Sequence, residues 1–405
     1  MPDLHGLRVL DLSRLLPGPY CTALLAAMGA DVIKVESPLM GDPARLAPPF
    51  VEEQSALFVA VNRGKRSVAV NYRRAEGRDI VHRLVLVSDV FVEAFKPGQA
   101  ARLGLDFATL SALNPRLIYC SLSGYGQSGP YAQRAGHDAT FLALAGALDL
   151  LRDGEGEPRL PGFQLADVAG GLFAAIAILA ALHERSLTGR GQFLDVSLWE
   201  SAFSLLALQA VVTAEAGPTG RRALANLQGT LHTYNVYRTA DGQHMALAAL
   251  EPVLWADFCR AVGRDDLAPH YVPGDEAQRQ ALLQEVAAIF AQRTRAEWEA
   301  LLADHDVCCE PVLALEEAIG PYRARLGRPP LPTGCPWPVG LGDWSSLSDW
   351  TSLRAPRLGQ HTAEVLAELG LSPADVEALR QDKVVATAEE ASPRRLRGLE
   401  AIHHS

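Results

Sequence analysis

Three ionisable side chains stand apart from their neighbours along this chain. His137 lies in Ala135-Gly-His-Asp138, after a glycine-rich stretch and before the apolar run Ala139–Leu148. Asp167 is the carboxylate near the front of LADVAGGLFAAIAILAALHER, Leu165–Arg185. Glu251 follows the apolar run Met245–Leu250 and precedes Pro252. An imidazole and carboxylates are groups that relay protons or attack a carbonyl carbon. Each also has an ordinary structural explanation. His137 or Asp138 suits a helix N-cap, Asp167 a first-turn acid favoured by the helix dipole, and Glu251 an acid beside an N1 proline. Behind Asp167, Gly170 and Gly171 point to close approach by a ligand or by another backbone.

A second set is basic: Arg63, Lys65 and Arg66, then Arg73 and Arg74, then Lys96 and Arg102. These residues fall near expected strand ends. In an acidic chain they suit a polyanionic small ligand at the edge of an α/β sheet, or else a solvated charged surface.

The elements that must position these groups follow from periodicity. Leu7–Leu12 reads as a buried strand, Pro17-Gly-Pro19 as a turn, Tyr20–Met28 as a helix stopped by Gly29, and Asp31–Glu36 as a second strand. That is a βαβ unit with a parallel, right-handed crossover. Ser67–Tyr72, Val90–Phe95 and Arg116–Ser123 read as further strands, with a helix at Ala75–Ser88, so the alternation predicts a doubly wound α/β fold. Gly124-Tyr-Gly-Gln-Ser-Gly129 follows a strand, but no helix is expected to open from Gly129. It reads as a flexible active-site loop rather than a dinucleotide fingerprint. The run Leu165–Arg185 reads as a buried core helix, apolar all round, and its uncharged part is shorter than the roughly 20 residues that cross a bilayer. Leu194–Ala216 reads as another long helix and Gly217–Asn226 as a polar linker. Two strands, Tyr234–Thr239 and His244–Leu250, meet at Asp241-Gly242. Helices are expected at about 252–262, 276–292 and 295–304, Val312–Ala318 begins a return path, and Pro329–Pro338 reads as a Pro/Gly-rich linker. Two short helices close the chain, Thr362–Leu369 and Pro373–Asp382, the second capped by Ser372.

The chain has 405 residues, 48% of them hydrophobic, which is ample for two lobes. A net charge of −10 argues against general nucleic-acid binding. The cysteines, at 21, 120, 259, 308, 309 and 335, show neither a zinc spacing nor a secretory framework. The opening MPDLHGLRVLDL lacks the pattern of a leader. A reducing, cytoplasmic setting is expected, without metal.

Several stretches together resemble the class III CoA-transferase and racemase family over nearly the whole chain, and most of all its 2-methylacyl-CoA racemases. They are LRVLDLSRLLPGPYCTALLAAMGADVIKVE, EAFKPGQAARLGL, RLIYCSLSGYGQSGP, AGHDATFLALAGAL, LADVAGG, TGRGQFLDVSLWE, YRTADGQHMALAALEP and CCEPVLALEEA. The resemblance implies a Rossmann-like large domain at 1–216 joined by 330–405, a smaller α+β domain at 226–329, and an interlocked homodimer with its active sites between subunits. Residue by residue, Asp167 matches the family's catalytic aspartate and His137 the racemase histidine of a Gly-His-Asp motif. Glu251 matches the glutamate that supports that histidine from the partner subunit. Arg102 matches a CoA phosphate contact, and Arg73 stands where a CoA-contacting lysine is usual. Arg66 and Lys96 complete the expected grip on the CoA tail, while Ser37 replaces a further family arginine. Ala139-Thr-Phe141 and Gly229-Thr-Leu231 also depart from the racemase pattern.

The chemistry implied is removal of the proton alpha to a thioester and return of a proton to the other face, by His137 and Asp167 on opposite sides. Backbone N–H groups at the start of the Asp167 helix are expected to hold the enolate oxygen, and no cofactor beyond substrate CoA is required. The alternative implied is a CoA-transferase in which Asp167 attacks the thioester, forming an acyl anhydride and then an aspartyl-CoA thioester, shielded by the Gly124–Gly129 loop.

Overall fold

The computed structural model describes residues 4–51, 53–152, 156–217, 220, 226–320, 324–325 and 354–390. The expected linker Pro329–Pro338 lies outside the described residues, as does most of Gly217–Asn226. The chain divides into two compact units, Met1–Leu205 with Pro332–Ser405, and Leu206–Leu331.

In the first unit the chain runs through β1 (Arg8–Asp11), α1 (Pro17–Ala27), β2 (Asp31–Glu36) and a 3-10 turn, Pro43–Leu46. A small hairpin of β3 (Phe50–Val51) and β4 (Gln54–Ser55) leads to α2 (Ala56–Asn62), β5 (Arg66–Val70), α3 (Ala75–Leu86) and β6 (Val90–Glu93). Then come α4 (Gln99–Leu103), α5 (Phe107–Leu113), β7 (Ile118–Ser123), α6 (Asp138–Ala145), α7 (Ala147–Leu150), α8 (Leu165–Thr188), β8 (Phe193–Ser197) and α9 (Leu198–Ser204). The second unit holds α10 (Ala207–Glu215), β9 (Tyr234–Arg238), β10 (His244–Ala248), α11 (Pro252–Ala261), α12 (Glu276–Phe290), α13 (Arg295–Leu302), β11 (Cys309–Pro311) and α14 (Leu315–Ile319). The chain returns to the first unit with α15 (Thr362–Glu368), α16 (Pro373–Gln381) and β12 (Val385–Ala386).

A seven-stranded sheet organises the first unit, in the order β12-β5-β2-β1-β6-β7-β8. Every pair is parallel except β12 on β5, which is antiparallel at the edge. Reading the six parallel strands by their sequence rank gives 3-2-1-4-5-6, so the order reverses between β1 and β6. Alternate residues of each strand feed two cores. Val9, Val32 and Val90 pack with α1 and α8 on one face. Leu10, Ile33 and Phe91 pack with α3, α15 and α16 on the other. Both faces are covered, which is why these strands read as near-continuous apolar runs.

Three expectations need correction. The Pro17-Gly-Pro19 segment is not a turn ahead of the helix but its first turn, with proline where no N–H is needed. Leu194–Ala216 is not one helix. Phe193–Ser197 pairs with β7, and Ser197 then caps α9 by accepting the Glu200 N–H. A free sheet edge outweighed helix propensity there. Finally, α8 is not buried all round: Leu172, Phe173 and Ile176 are 39%, 36% and 59% exposed. It spans 24 residues with a mean hydropathy of 2.2 in its most apolar stretch, so by length and composition alone it passes for a membrane span. Its inner side packs on α1 and the sheet, with Ala174 and Ile178 fully buried.

The second unit has a three-stranded antiparallel sheet, β11-β10-β9, under a core of Tyr237, Trp255, Phe258, Phe290 and Trp298. Stacked and tilted rings join these residues, Tyr237 lying 5.0 Å from Phe290.

Candidate active site

Two helix N-termini in the first unit are tied together by one side chain. His137 is the N-cap of α6, and Asp138 is the helix's first residue. The Asp138 carboxylate does not cap its own helix. Its Oδ1 accepts the backbone N–H groups of Ala166, at 2.7 Å, and Asp167, at 3.1 Å, at the start of α8. An anionic carboxylate across these N–H groups is a strong, charge-assisted cap. It fixes the turn that carries His137 beside the turn that carries Asp167. It also corrects an expectation, because two of the N–H groups assigned to an enolate oxygen are already occupied.

Asp167 itself caps nothing. Among the described residues its carboxylate makes no hydrogen bond or ion pair, and the His137 ring likewise makes none. Burial, and next the negative charge of Asp138, push the Asp167 carboxyl up to about 7. A carboxyl that is mostly enclosed, unpartnered and balanced near neutral pH is suited to accept or release a proton.

Both glycines behind Asp167 have packing roles. A Cβ on Gly171 would stand 2.7 Å from the Pro17 carbonyl oxygen, and one on Gly170 would meet the tip of Leu198. The close partners are therefore the start of α1 and a side chain of α9.

The glycine-rich segment leaves β7 and makes no helix until Asp138, which excludes the dinucleotide-type turn. Gln127 anchors it: its N–H donates to Asp195 Oδ2 at 2.9 Å and its side chain to Ser121 Oγ at 2.9 Å. Ser121 stands between Glu93 and Asp195 on adjacent strands. Burial foremost, with Asp195 adding to it, raises the Glu93 carboxyl to about 7. Phe141 presses on both Gly124 and Gly136, and its ring meets Tyr125 at 5.3 Å.

At the carboxyl ends of β1, β2 and β5 a cleft opens, the place where parallel α/β sheets bind ligands. Its walls include Ser13, Arg14, Ser37, Asn71, Tyr72 and Arg73. Burial raises the Tyr72 phenol, and the charges of Arg14 and Arg73 oppose that rise, so both guanidiniums bear on the same cleft. Beneath lies a largely buried ionic cluster, two of whose members, Glu36 and Asp42, also line the cleft. Lys65 pairs with Asp11 at 3.0 Å and Lys34 with Asp42 at 3.0 Å, while Arg45 grips Glu36 at 2.7 Å. Burial alone would raise Asp11 and Glu36, but their cationic partners hold both below the usual carboxylate range.

The basic residues singled out from the sequence therefore separate. Arg73 lines the cleft. Lys96 and Arg102 are exposed, just past the end of β6 and on α4. Lys65 is a buried structural cation, neither surface charge nor ligand contact. Arg66 begins β5, at the opposite end of the strand from Arg73. It is held by Asp31, Glu364 and Glu368, so the structure removes it from the cleft. Glu251 is the exposed N-cap residue of α11 in the second unit, with Pro252 at N1. Sequence reasoning missed Arg14, the reach of Asp138 across to α8, and the pairing of Asp11, Lys34, Asp42 and Lys65. The signal for Arg14 was its place in the first loop after a parallel strand, and the others rest on long-range pairings.

Residues 4–362 match the family model for CoA-transferase family III. The human alpha-methylacyl-CoA racemase is 34% identical over 398 residues, covering 94% of this chain and 97% of the relative. The mouse succinyl-CoA:glutarate CoA-transferase is 33% identical over 382 residues, covering 91% and 87%. The crystal structure of a CAIB/BAIF family protein from Brucella suis superposes with a TM-score of 0.77 at 34% identity, covering 91% of this chain and all of that one.

Proposed function

The chain belongs to CoA-transferase family III, and from that premise we propose that it is an acyl-CoA racemase acting on 2-methyl-branched acyl-CoA thioesters. Racemases and transferases resemble it equally, so the choice between them rests on the site. The observation that carries the reading is the Asp138 clamp, which brackets an imidazole and an unpartnered carboxyl of raised pKa at neighbouring helix N-termini. One group takes the alpha proton as the other delivers a proton to the opposite face, so the thioester gains and loses one proton and no net charge. With the first N–H groups of α8 engaged by Asp138, the N-terminus of α6 is the better source of donors for the enolate oxygen. The CoA tail is assigned to the cleft with Arg14 and Arg73, with Lys96 and Arg102 farther along the sheet edge. We assign Glu251 to the support of His137 in a homodimer. The exposed Leu172, Phe173 and Ile176 on α8 favour burial against a second copy.

A second reading keeps the same aspartate. As a transferase nucleophile Asp167 attacks the thioester carbonyl and expels CoA thiolate, which attacks the aspartyl carbonyl of the anhydride, releases the donor acid and leaves an aspartyl-CoA thioester. The acceptor carboxylate displaces CoA thiolate from it to form a second anhydride, and attack of that thiolate on the acceptor's acyl carbonyl gives the new thioester and frees Asp167. The transferase relatives favour it. One experiment separates the two: a single enantiomer of a 2-methylacyl-CoA is incubated in deuterated water, with and without succinate or glutarate. Racemisation with one deuterium at the alpha carbon supports the racemase. Transfer of CoA to the free acid without alpha deuterium, surviving His137→Ala, rejects it.

A further inference from the structure

Leu15 has φ +64, a left-handed conformation that costs a non-glycine residue energy and persists only where the surroundings enforce it. The enforcing group is identifiable. The Leu15 N–H donates to Oδ1 of Asp42 at 3.0 Å, and the same oxygen accepts the Ala44 N–H at 2.9 Å. Asp42 is 1% exposed. Its Oδ2 faces the Lys34 ammonium at 3.0 Å, and that ammonium donates to the Ser13 carbonyl at 3.0 Å. Ser13 is also held by Asp11 Oδ1, which accepts its N–H at 2.9 Å and its hydroxyl at 2.5 Å. Arg14 thus stands between two residues whose backbones are gripped by a buried ion pair. Among the described residues its own guanidinium has no ion-pair partner, and it lines the cleft, whereas the Leu15 side chain does not.

We propose that Asp42 is a positioning residue for the CoA cleft: paired with Lys34, it holds Leu15 left-handed and so aims Arg14 at the anionic tail of the ligand. This rests on the reading of the cleft as the CoA site. The strain at Leu15 is then the structural requirement for presenting Arg14, since a relaxed turn would swing the residue before it. Because Pro17, two residues on, also abuts Gly171 of the Asp167 helix, the same turn sets where α1 begins against α8.

The test is titration of the full chain with CoA, together with hydrogen exchange of the Leu15 amide. Leu15 is 40% exposed, so its variants are expected to fold. Leu15→Val, β-branched and disfavoured at positive φ, is expected to weaken CoA binding about tenfold, while Leu15→Gly stays within about twofold of the wild type. Asp42→Asn, which removes the nearer of the two carboxylates paired with Lys34 and leaves Asp11 at 3.9 Å, is expected to weaken binding more than tenfold and to speed exchange at Leu15. Adding Leu15→Gly should recover part of the loss. Wild-type affinity in both Leu15→Val and Asp42→Asn, with Arg14→Ala still weakened, overturns the positioning role and leaves the cleft assignment standing. Undiminished CoA binding by Arg14→Ala removes the cleft assignment itself. In that case unchanged Leu15 exchange in Asp42→Asn also removes the claim that Asp42 holds the turn, and accelerated exchange retains it. Should Asp42→Asn not fold, the Leu15 pair decides: equal CoA affinity for Val and Gly refutes the proposal.

Discussion

Replacing Asp138 by Asn removes a charge while keeping an oxygen where the Ala166 and Asp167 N–H groups point. Asp167 departs from an ordinary value of 3.8 to about 7, with burial the larger cause and Asp138 the second. Less than half of that rise therefore belongs to Asp138, which sets the expected fall at about one pH unit, or about 1.4 kcal/mol. Burial is unchanged, so Asp167 should stay above its ordinary value. The stability consequence has a definite sign. An acid whose folded pKa is raised favours the folded state fully below about pH 3.8, and that contribution is lost as pH climbs towards 7. In the variant the loss is smaller and ends about one unit lower, offset by about 0.5–1 kcal/mol from a weaker cap on α8. The assay is the pH dependence of kcat/KM for alpha-proton exchange in deuterated water, with Asp167→Asn identifying the limb that belongs to Asp167. That limb is expected to move towards pH 6. A limb that stays in place, or moves to higher pH while Asp167 remains essential, refutes the electrostatic link between the two carboxyls.

Other perturbations test separate parts of the account. Gly171→Ala places a methyl group against the rigid Pro17 carbonyl and should cost about 1–3 kcal/mol in thermal denaturation with loss of activity. Gly170→Ala meets only the flexible tip of Leu198 and should cost less. Glu93→Gln should stabilise the protein by up to about 3 kcal/mol above pH 7, where ionising the buried acid penalises the wild type. The difference should vanish below about pH 4.5, where both folded and unfolded wild type carry the proton. Arg73→Ala should raise KM for the CoA thioester about tenfold with kcat little changed, whereas Arg66→Ala should leave KM alone and lower stability by about 1 kcal/mol.

The strands were legible because each carries two apolar faces. In Arg8–Asp11 and Asp31–Glu36 neighbouring residues serve different cores, so the signal is dense. The strand Phe193–Ser197 was hidden because its apolar residues run straight into those of α9, and only the ladder with β7 distinguishes them. His137, Asp167 and Glu251 were visible as charges in apolar settings. What ties the first two together was not, since Asp138 reaches an N–H group 28 residues along the chain. Charged residues were the most misleading. Lys65 reads as one of the basic residues near strand ends and Lys34 lies within the strand Asp31–Glu36, yet both are enclosed, because Asp11 and Asp42 from other segments neutralise them. The left-handed Leu15 carried no signal either, as nothing in Arg14-Leu-Leu-Pro17 resembles a turn that needs glycine.

The claim that two opposed groups share one carbon is tested most directly by following alpha-proton exchange from each enantiomer separately, in His137→Gln and in Asp167→Asn. The account predicts that both variants lose racemisation, and that each still exchanges the proton of one enantiomer only, the two variants being opposite in which they keep. Loss of exchange from both enantiomers in Asp167→Asn, with His137→Gln as active as the wild type on both, would contradict it and leave Asp167 as a nucleophile.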